Sequence, residues 1–400
     1  MPQISKRVAR MHGSPIRRIA TMLAKAAGDK EIISFGGGAP GLAPPKEVVN
    51  YLVEKLRKEP RKTTAYGSTI GLPNVLKLIA QNLKEDEKIK IDAEKELTVT
   101  VGGTEALYDT LSAIIDPGDE VIISDPTYLM YQPMIDLHDG KAVSIPCRWK
   151  EDFQMMPDKV AEKINRKTKA IILLNPDNPT GRVQSKENVR GLVELAEDKD
   201  LWLITDDIYK YLIYGGKKFV NSRTFGGYDN TITCCSFSKT CSIPGMRVGY
   251  AYGPAGIIDR IEKMEQYTSL CPSKASQFMV EKFLENHAAV QKRYLKNVVV
   301  PFYTKGRDTM EKALKEYLPD AGFHTPHAAF YFFPDMKTYL KKKKLDDVKL
   351  SEILFQKKKL AVVPGRFFGN YGKGHVRMTY ASEPPERIMQ GMKRVGEFFS

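Results

Sequence analysis

Six short apolar runs constrain this 400-residue chain more than any other feature: ELTVTV, EVIISD (120–125), KAVSIP (141–146), AIILLN (170–175), LWLITD (201–206) and TITCCS (231–236). All have strand length and are rich in β-branched residues, and helical stretches such as 46–58, 74–83, 106–114 and 187–199 lie around and between them. Strands that alternate with helices form a mostly parallel sheet, because a parallel crossover needs a connection of helix length. Those helices then cover both faces. The expected fold is therefore α/β, a large domain with its sheet sandwiched by helices. Beyond about residue 286 the pattern changes. A long helical segment (290–317, broken at Pro301) precedes the strand-like runs HAAFYFFP, LAVVPG and HVRMTYA, and a last helix runs through Val395. That mixture reads as a smaller α+β domain. The expected division is 44–285 for the large domain, with 1–43 and 286–400 forming an N-terminal arm and the small domain.

Five of these strands end in polar clusters: GGTE, DPTY, NPDNPTG, TDDIY and SFSK. In open α/β sheets, ligands bind where such carboxyl ends converge. The last cluster carries the most chemistry. In TITCCSFSKTCSIPGMRVG, Lys239 follows a buried strand, Ser236 and Ser238 flank it, and Arg247 comes eight residues later. An amine among small residues is poorly solvated, so its neutral, nucleophilic form is favoured. Two hydroxyls and a planar, two-pronged cation suit a phosphate monoester. Gly103 and Thr104 sit where a strand feeds a helix N-terminus, whose free N–H groups attract an anion. An amine beside a phosphate cradle suits condensation with a phosphorylated aldehyde, of which pyridoxal phosphate is the common one.

Composition sets limits around that site. With 42% hydrophobic and 28% charged residues the chain reads as an ordinary globular protein, and no apolar run is long enough to span a bilayer. Five cysteines without C-x-x-C spacing read as reduced thiols of a cytoplasmic protein. The net charge of +14 is spread along the chain, and the clusters at 341–344 and 357–359 interrupt amphipathic helices. A solvated helix face is the expectation there, and no nucleic-acid partner. Gly36-x-Gly38-x-x-Gly41 matches a dinucleotide fingerprint, but Pro40, Pro44 and Pro45 prevent the helix it requires. His324 and His327 have H-x-x-H spacing with no further ligand nearby, so no metal is expected.

Taken in order, these motifs resemble those of the class I aminotransferases, the fold type I pyridoxal-phosphate enzymes, and cover nearly the whole chain. NPDNPTG, TDDIY, SFSK and the late VRMTYA carry the resemblance, which is nearest to the aspartate, aromatic and 2-aminoadipate transaminase groups. It implies pyridoxal 5'-phosphate as cofactor and Lys239 as the residue that bonds to it and moves the substrate proton. Gly103, Thr104, Ser236, Ser238 and Arg247 would hold the phosphate and Tyr128 would stack on the ring. Asn178 and Tyr209 would donate hydrogen bonds to the ring's phenolate oxygen. Asp206 would pair with the pyridine nitrogen, with Asp207 as its rival on the opposite face of the strand. Arg377 and the backbone at Gly38 would meet the substrate carboxylate. Tyr66 would reach a neighbouring subunit's phosphate, which implies a homodimer with shared sites. Arg17, in Ser14-Pro15-Ile16-Arg17 of an expected opening helix 15–27, resembles an arginine that meets a distal substrate carboxylate, although two exposed arginines (17 and 18) are the plainer reading.

The implied activity is transfer of an amino group from an L-amino acid to a 2-oxo acid, 2-oxoglutarate being the expected acceptor, by ping-pong kinetics. Two departures stand out: Leu76-Lys77 in place of Leu-Arg, and Ala328-Ala329-Phe330-Tyr331 in place of Gly-Gly-Phe-Tyr, which would narrow the substrate side. The alternatives are a lyase or synthase on the same scaffold, which would release ammonia without an acceptor, and a regulator that borrowed the fold. The regulator needs an N-terminal DNA-binding domain, and the first strand here begins by residue 31.

Overall fold

The computed structural model describes residues 2–9, 11, 13, 21 and 28–400. Arg17 and all of the expected opening helix 15–27 except Thr21 lie outside the described residues. Strands are numbered in chain order: β1 (Ile33–Ser34), β2 (Leu97–Thr100), β3 (Glu120–Asp125), β4 (Lys141–Pro146), β5 (Thr168–Leu174), β6 (Trp202–Asp206), β7 (Thr231–Ser236), β8 (Gly249–Tyr252), β9 (Tyr331–Phe332), β10 (Leu360–Ala361), β11 (Val363–Pro364) and β12 (Val376–Thr379).

The large sheet has the order β2-β8-β7-β6-β5-β3-β4, and only β8 runs antiparallel to its neighbours. Alternation along its strands feeds two different cores. Val121, Ile123, Ile172 and Ile204 pack with Leu107 and Leu111 of helix Gly103–Ile114 and Ile258 and Ile261 of helix Ala255–Thr268. Ile122, Ile171, Leu173 and Leu203 face the other way, against Val189, Leu192 and Val193 of helix Lys186–Asp198. β3, β5 and β6 are thus apolar on both sides, which is why those runs were near-continuous in sequence, whereas the edge strand β4 is largely exposed or half-buried.

The C-terminal part contains a three-stranded antiparallel sheet, β11-β12-β9, and β1 pairs in parallel with β10. Its strands are shorter than the sequence runs suggested. HAAFYFFP contributes only Tyr331–Phe332, bounded by Ala329 in a left-handed conformation and by Pro334. Pro301 does not break a helix. It occupies the first turn of helix Val300–Tyr317, where its missing N–H costs nothing, and the chain runs into it from helix Lys274–Tyr294 through the π turn Leu295–Val299. The irregular backbone lies earlier, at Glu285 to Ala288. Helix Gly103–Ile114 also begins three residues before the expected Ala106, because Gly102, at φ +82°, turns the chain directly out of β2's end.

The glycine-rich loop after β1 carries no helix at its third glycine, as its prolines require. A side chain at Gly41 would collide with the Ala381 carbonyl, so this glycine serves close backbone approach. Among the described residues, no helix is long and apolar enough to cross a membrane.

Candidate active site

The carboxyl ends of β5, β6 and β7 and the β2-to-helix turn open on one cleft, and β12 and the loop after β1 close its other side. At the end of β7, Ser236 caps a single helical turn, Phe237–Thr240, its hydroxyl accepting the Ser238 N–H at 3.1 Å. That turn carries Lys239. Its side chain is half-buried, its amine donates to the Gly38 carbonyl at 2.5 Å, and the Phe330 ring lies 5.8 Å away. Burial, reinforced by the positive charges of Arg377 and Arg247, pushes the Lys239 pKa down to about 8. The amine is therefore nearer its neutral form than an exposed lysine.

Asp206 and Asp207 diverge as strand alternation requires. Asp206 accepts from the Tyr131 hydroxyl at 2.8 Å and feels the charge of Lys239; burial raises its pKa to about 6. Asp207 faces the other layer, where Lys210 and Glu87 form a buried ion pair at 2.5 Å. Arg377, on β12, is 1% exposed. Its Nη1 donates to Asn178 Oδ1 at 3.1 Å, and its Nη2 donates to the carbonyls of Gly36 at 3.0 Å and Gly37 at 3.3 Å. The rings of Tyr331 and Phe368 lie 4.4 and 5.0 Å from the guanidinium. Its Nε is buried and, among the described residues, without a hydrogen-bond partner. Gly38 sits beside this group: a methyl there would come 3.8 Å from Nη2 and 3.4 Å from the Tyr331 hydroxyl.

At the other end of the cleft, Gly103 and Thr104 open their helix with N–H groups that have no intrahelical acceptor. Arg247 arches over the turn, donating to the carbonyls of Pro244 at 3.1 Å and Val101 at 3.4 Å; a Cβ on Gly102 would lie 2.5 Å from its Nη2. Gly249 keeps β8 close, since a Cβ would stand 2.6 Å from the Gly103 nitrogen. The Ser236 hydroxyl also meets Ser238 Oγ at 2.9 Å and the Val248 carbonyl at 3.1 Å. These groups form a small recess of N–H, hydroxyl and guanidinium donors, which fits a phosphate; the Glu105 carboxylate of the same turn is taken up by the Val101 N–H.

Tyr128 lies between the two ends, its pKa raised to about 12 by burial and by Asp206. The Tyr209 hydroxyl meets that of Tyr331 at 2.9 Å. Tyr66 is 82% exposed and far from enclosure within this chain. The sequence reading missed Tyr131, Tyr331 as partner of both Tyr209 and Arg377, and Phe368. Only Tyr131 left a signal, one helical turn after Tyr128 in DPTYLMY. Lys77 is exposed, as a surface change would be, and no metal-binding group of three or more ligands occurs among the described residues.

The family profile described as aminotransferase class I and II matches residues 30–395. The chain belongs to this family. It is 33% identical to an aspartate aminotransferase of Pyrococcus abyssi and 30% identical to aromatic-amino-acid aminotransferase 2 of Thermococcus litoralis, each comparison covering 98% of both chains. Among solved structures it superposes on an aromatic aminotransferase from Pyrococcus horikoshii with a TM-score of 0.86 at 30% identity, over 94% of this chain and 98% of that one. The aspartate aminotransferase of Thermus thermophilus with maleate gives 0.91 at 27% identity, over 99% and 100%. The α/β fold with a mostly parallel central sheet is the fold of these aminotransferases, and this chain is an aminotransferase.

Proposed function

We propose that this aminotransferase uses pyridoxal 5'-phosphate to move the amino group of an acidic or aromatic L-amino acid to a 2-oxo acid, 2-oxoglutarate being the expected acceptor. The observation that carries the reading is the half-buried Lys239 amine, brought down to about 8 and set between a carboxylate at Asp206 and a guanidinium at Arg377. When bound, the cofactor supplies an aldehyde and a conjugated ring that take up the amino group and spread the charge left at the substrate carbon. Lys239 is the attachment point and then the base that moves the substrate α-proton. Asp206, oriented by Tyr131, holds a negative charge at the pyridine nitrogen. Asn178, whose oxygen is engaged by Arg377, keeps its amide N–H groups for the ring oxygen, and Tyr209 donates beside it. Gly103, Thr104, Ser236, Ser238 and Arg247 hold the phosphate, and Tyr128 covers the ring. Arg377 and the Gly38 backbone take the substrate carboxylate. Donor and acceptor occupy the same place in turn, hence ping-pong kinetics.

The printed activities of the relatives, aspartate and aromatic transfer, support the substrate class. A panel of L-amino acids against 2-oxoglutarate tests it. Release of ammonia without an acceptor would instead assign a lyase. Arg377→Lys keeps the charge and loses the fork, so KM should rise about tenfold for every amino acid while kcat changes less. Equal KM values for the variant and the parent enzyme would remove Arg377 from the carboxylate role. Arg17→Ala should weaken glutamate or aspartate by about one to two orders of magnitude, the worth of one charge-assisted hydrogen bond, and leave phenylalanine unaffected. Equal losses would make Arg17 structural.

The proposed assembly is a homodimer, supported by Tyr66 (82% exposed) and Tyr267 (88% exposed), large aromatics left in solvent by the single chain. The proposed domain division at 285/286 falls on the irregular backbone at Glu285 to Ala288. Five unpaired cysteines suit a reducing, cytoplasmic setting.

A further inference from the structure

Asp125 ends β3, yet its side chain serves the other side of the cleft. Its Oδ2 accepts the Asn370 N–H and its Oδ1 the Tyr371 N–H, each at 2.9 Å. Gly369, at φ +130°, passes so close that a side chain there would collide with the Asp125 carboxylate. A second tie joins the same segments, from the Thr127 N–H to the Phe368 carbonyl at 2.8 Å. Phe368 presents its ring to the Arg377 guanidinium and stands nearly perpendicular to the Phe333 ring. Burial raises the Asp125 pKa, while the two backbone donors and Lys373 oppose that shift. A carboxylate taking one N–H on each oxygen fixes a turn more firmly than neutral hydrogen bonds do.

We propose that Asp125 is a positioning residue for Arg377, acting through the turn at 369–371 and the ring of Phe368 to hold the guanidinium in line for a substrate carboxylate. The inference rests on the proposed role of Arg377. The 125–128 segment also carries Tyr128, so the same stitch sets the spacing between the ring-covering tyrosine and the carboxylate anchor. Asp125 itself touches neither ligand.

A double-mutant cycle on the cofactor-loaded enzyme tests this, with KM, kcat and the visible absorbance of the bound cofactor as readouts. Asp125→Ala should raise KM for amino acids about tenfold, with little change in kcat or absorbance. Combined with Arg377→Lys it should raise KM no further than Arg377→Lys alone, because the two act through one contact. Multiplying effects in the double variant would overturn the proposal, as would a fall in kcat or cofactor content without a change in KM, or a lowered melting temperature with kinetics intact. If Arg377→Lys alone leaves KM unchanged, the reading of Arg377 fails, and the proposal with it; a silent Asp125→Ala beside a damaging Arg377→Lys refutes the positioning role alone. Asp125→Asn keeps one acceptor oxygen in the same shape and repeats the cycle should the alanine variant fail to fold.

Discussion

Lys239→Ala is expected to yield a folded protein without the visible absorbance of a covalently held cofactor and with almost no transfer activity. Its short side chain fits the capped turn that Phe237 and Thr240 keep buried, so folding should survive. The lost function is twofold. Among the described residues no other amine is set in the same place: Lys210, the nearest buried lysine in sequence, is paired with Glu87 in another layer. The proton-transfer role alone is worth roughly 10²–10⁴-fold. The lowered pKa adds a pH signature to the parent protein. Below about pH 8 the amine is mostly protonated, so the rate at which cofactor-free enzyme takes up pyridoxal phosphate should rise with pH and level off above about 8. Borohydride reduction and peptide mapping identify the attachment point. Trapping at another lysine, or an unchanged spectrum in the variant, would refute the assignment.

What the sequence made legible and what it hid separate along a physical line. The sheet could be read because its inner strands β3, β5, β6 and β7 are buried on both faces, and that burial leaves a local record of apolar, β-branched runs closed by polar ends. That Asp206 and Asp207 face opposite ways was legible for the same reason, since period-two alternation separates neighbours. Which of the two faces the cleft came only from the family resemblance, through the position three residues before Tyr209. Contacts between distant segments left no such record. Tyr131 meets Asp206 across 75 positions, and Asp125 meets Asn370 across 245. The short strands around β12 were overestimated, because Phe333, Val362 and neighbouring residues are buried by packing without belonging to any ladder. Pro301 misled for a local reason: the residue that ends a helix from inside is the one that starts it best at the first turn.

The divergence of the two aspartates yields the sharpest contrast. Asp206→Ala should weaken cofactor retention by about 10- to 100-fold, the worth of one charge-assisted hydrogen bond, and cut turnover severely because the negative charge proposed for the ring nitrogen is lost. The Tyr131 hydroxyl, left without its acceptor, adds to the cost. Retention in the parent protein should also decline as pH falls through about 6, where burial has placed the carboxylate's own proton. Asp207→Asn should behave in the opposite way. Burial raises the Asp207 pKa well above the usual carboxylate range, outweighing the nearby Lys210. The folded state therefore keeps a proton that the unfolded chain has lost, and this group's contribution to stability falls as pH rises above about 4. An amide of the same shape removes that dependence, so Asp207→Asn should melt higher than the parent at pH 8, less so at pH 5, with activity retained. Measuring cofactor content, turnover and melting temperature on both variants separates the two roles. If Asp207→Asn is the one that loses cofactor and turnover, the strand's facing is assigned the wrong way round.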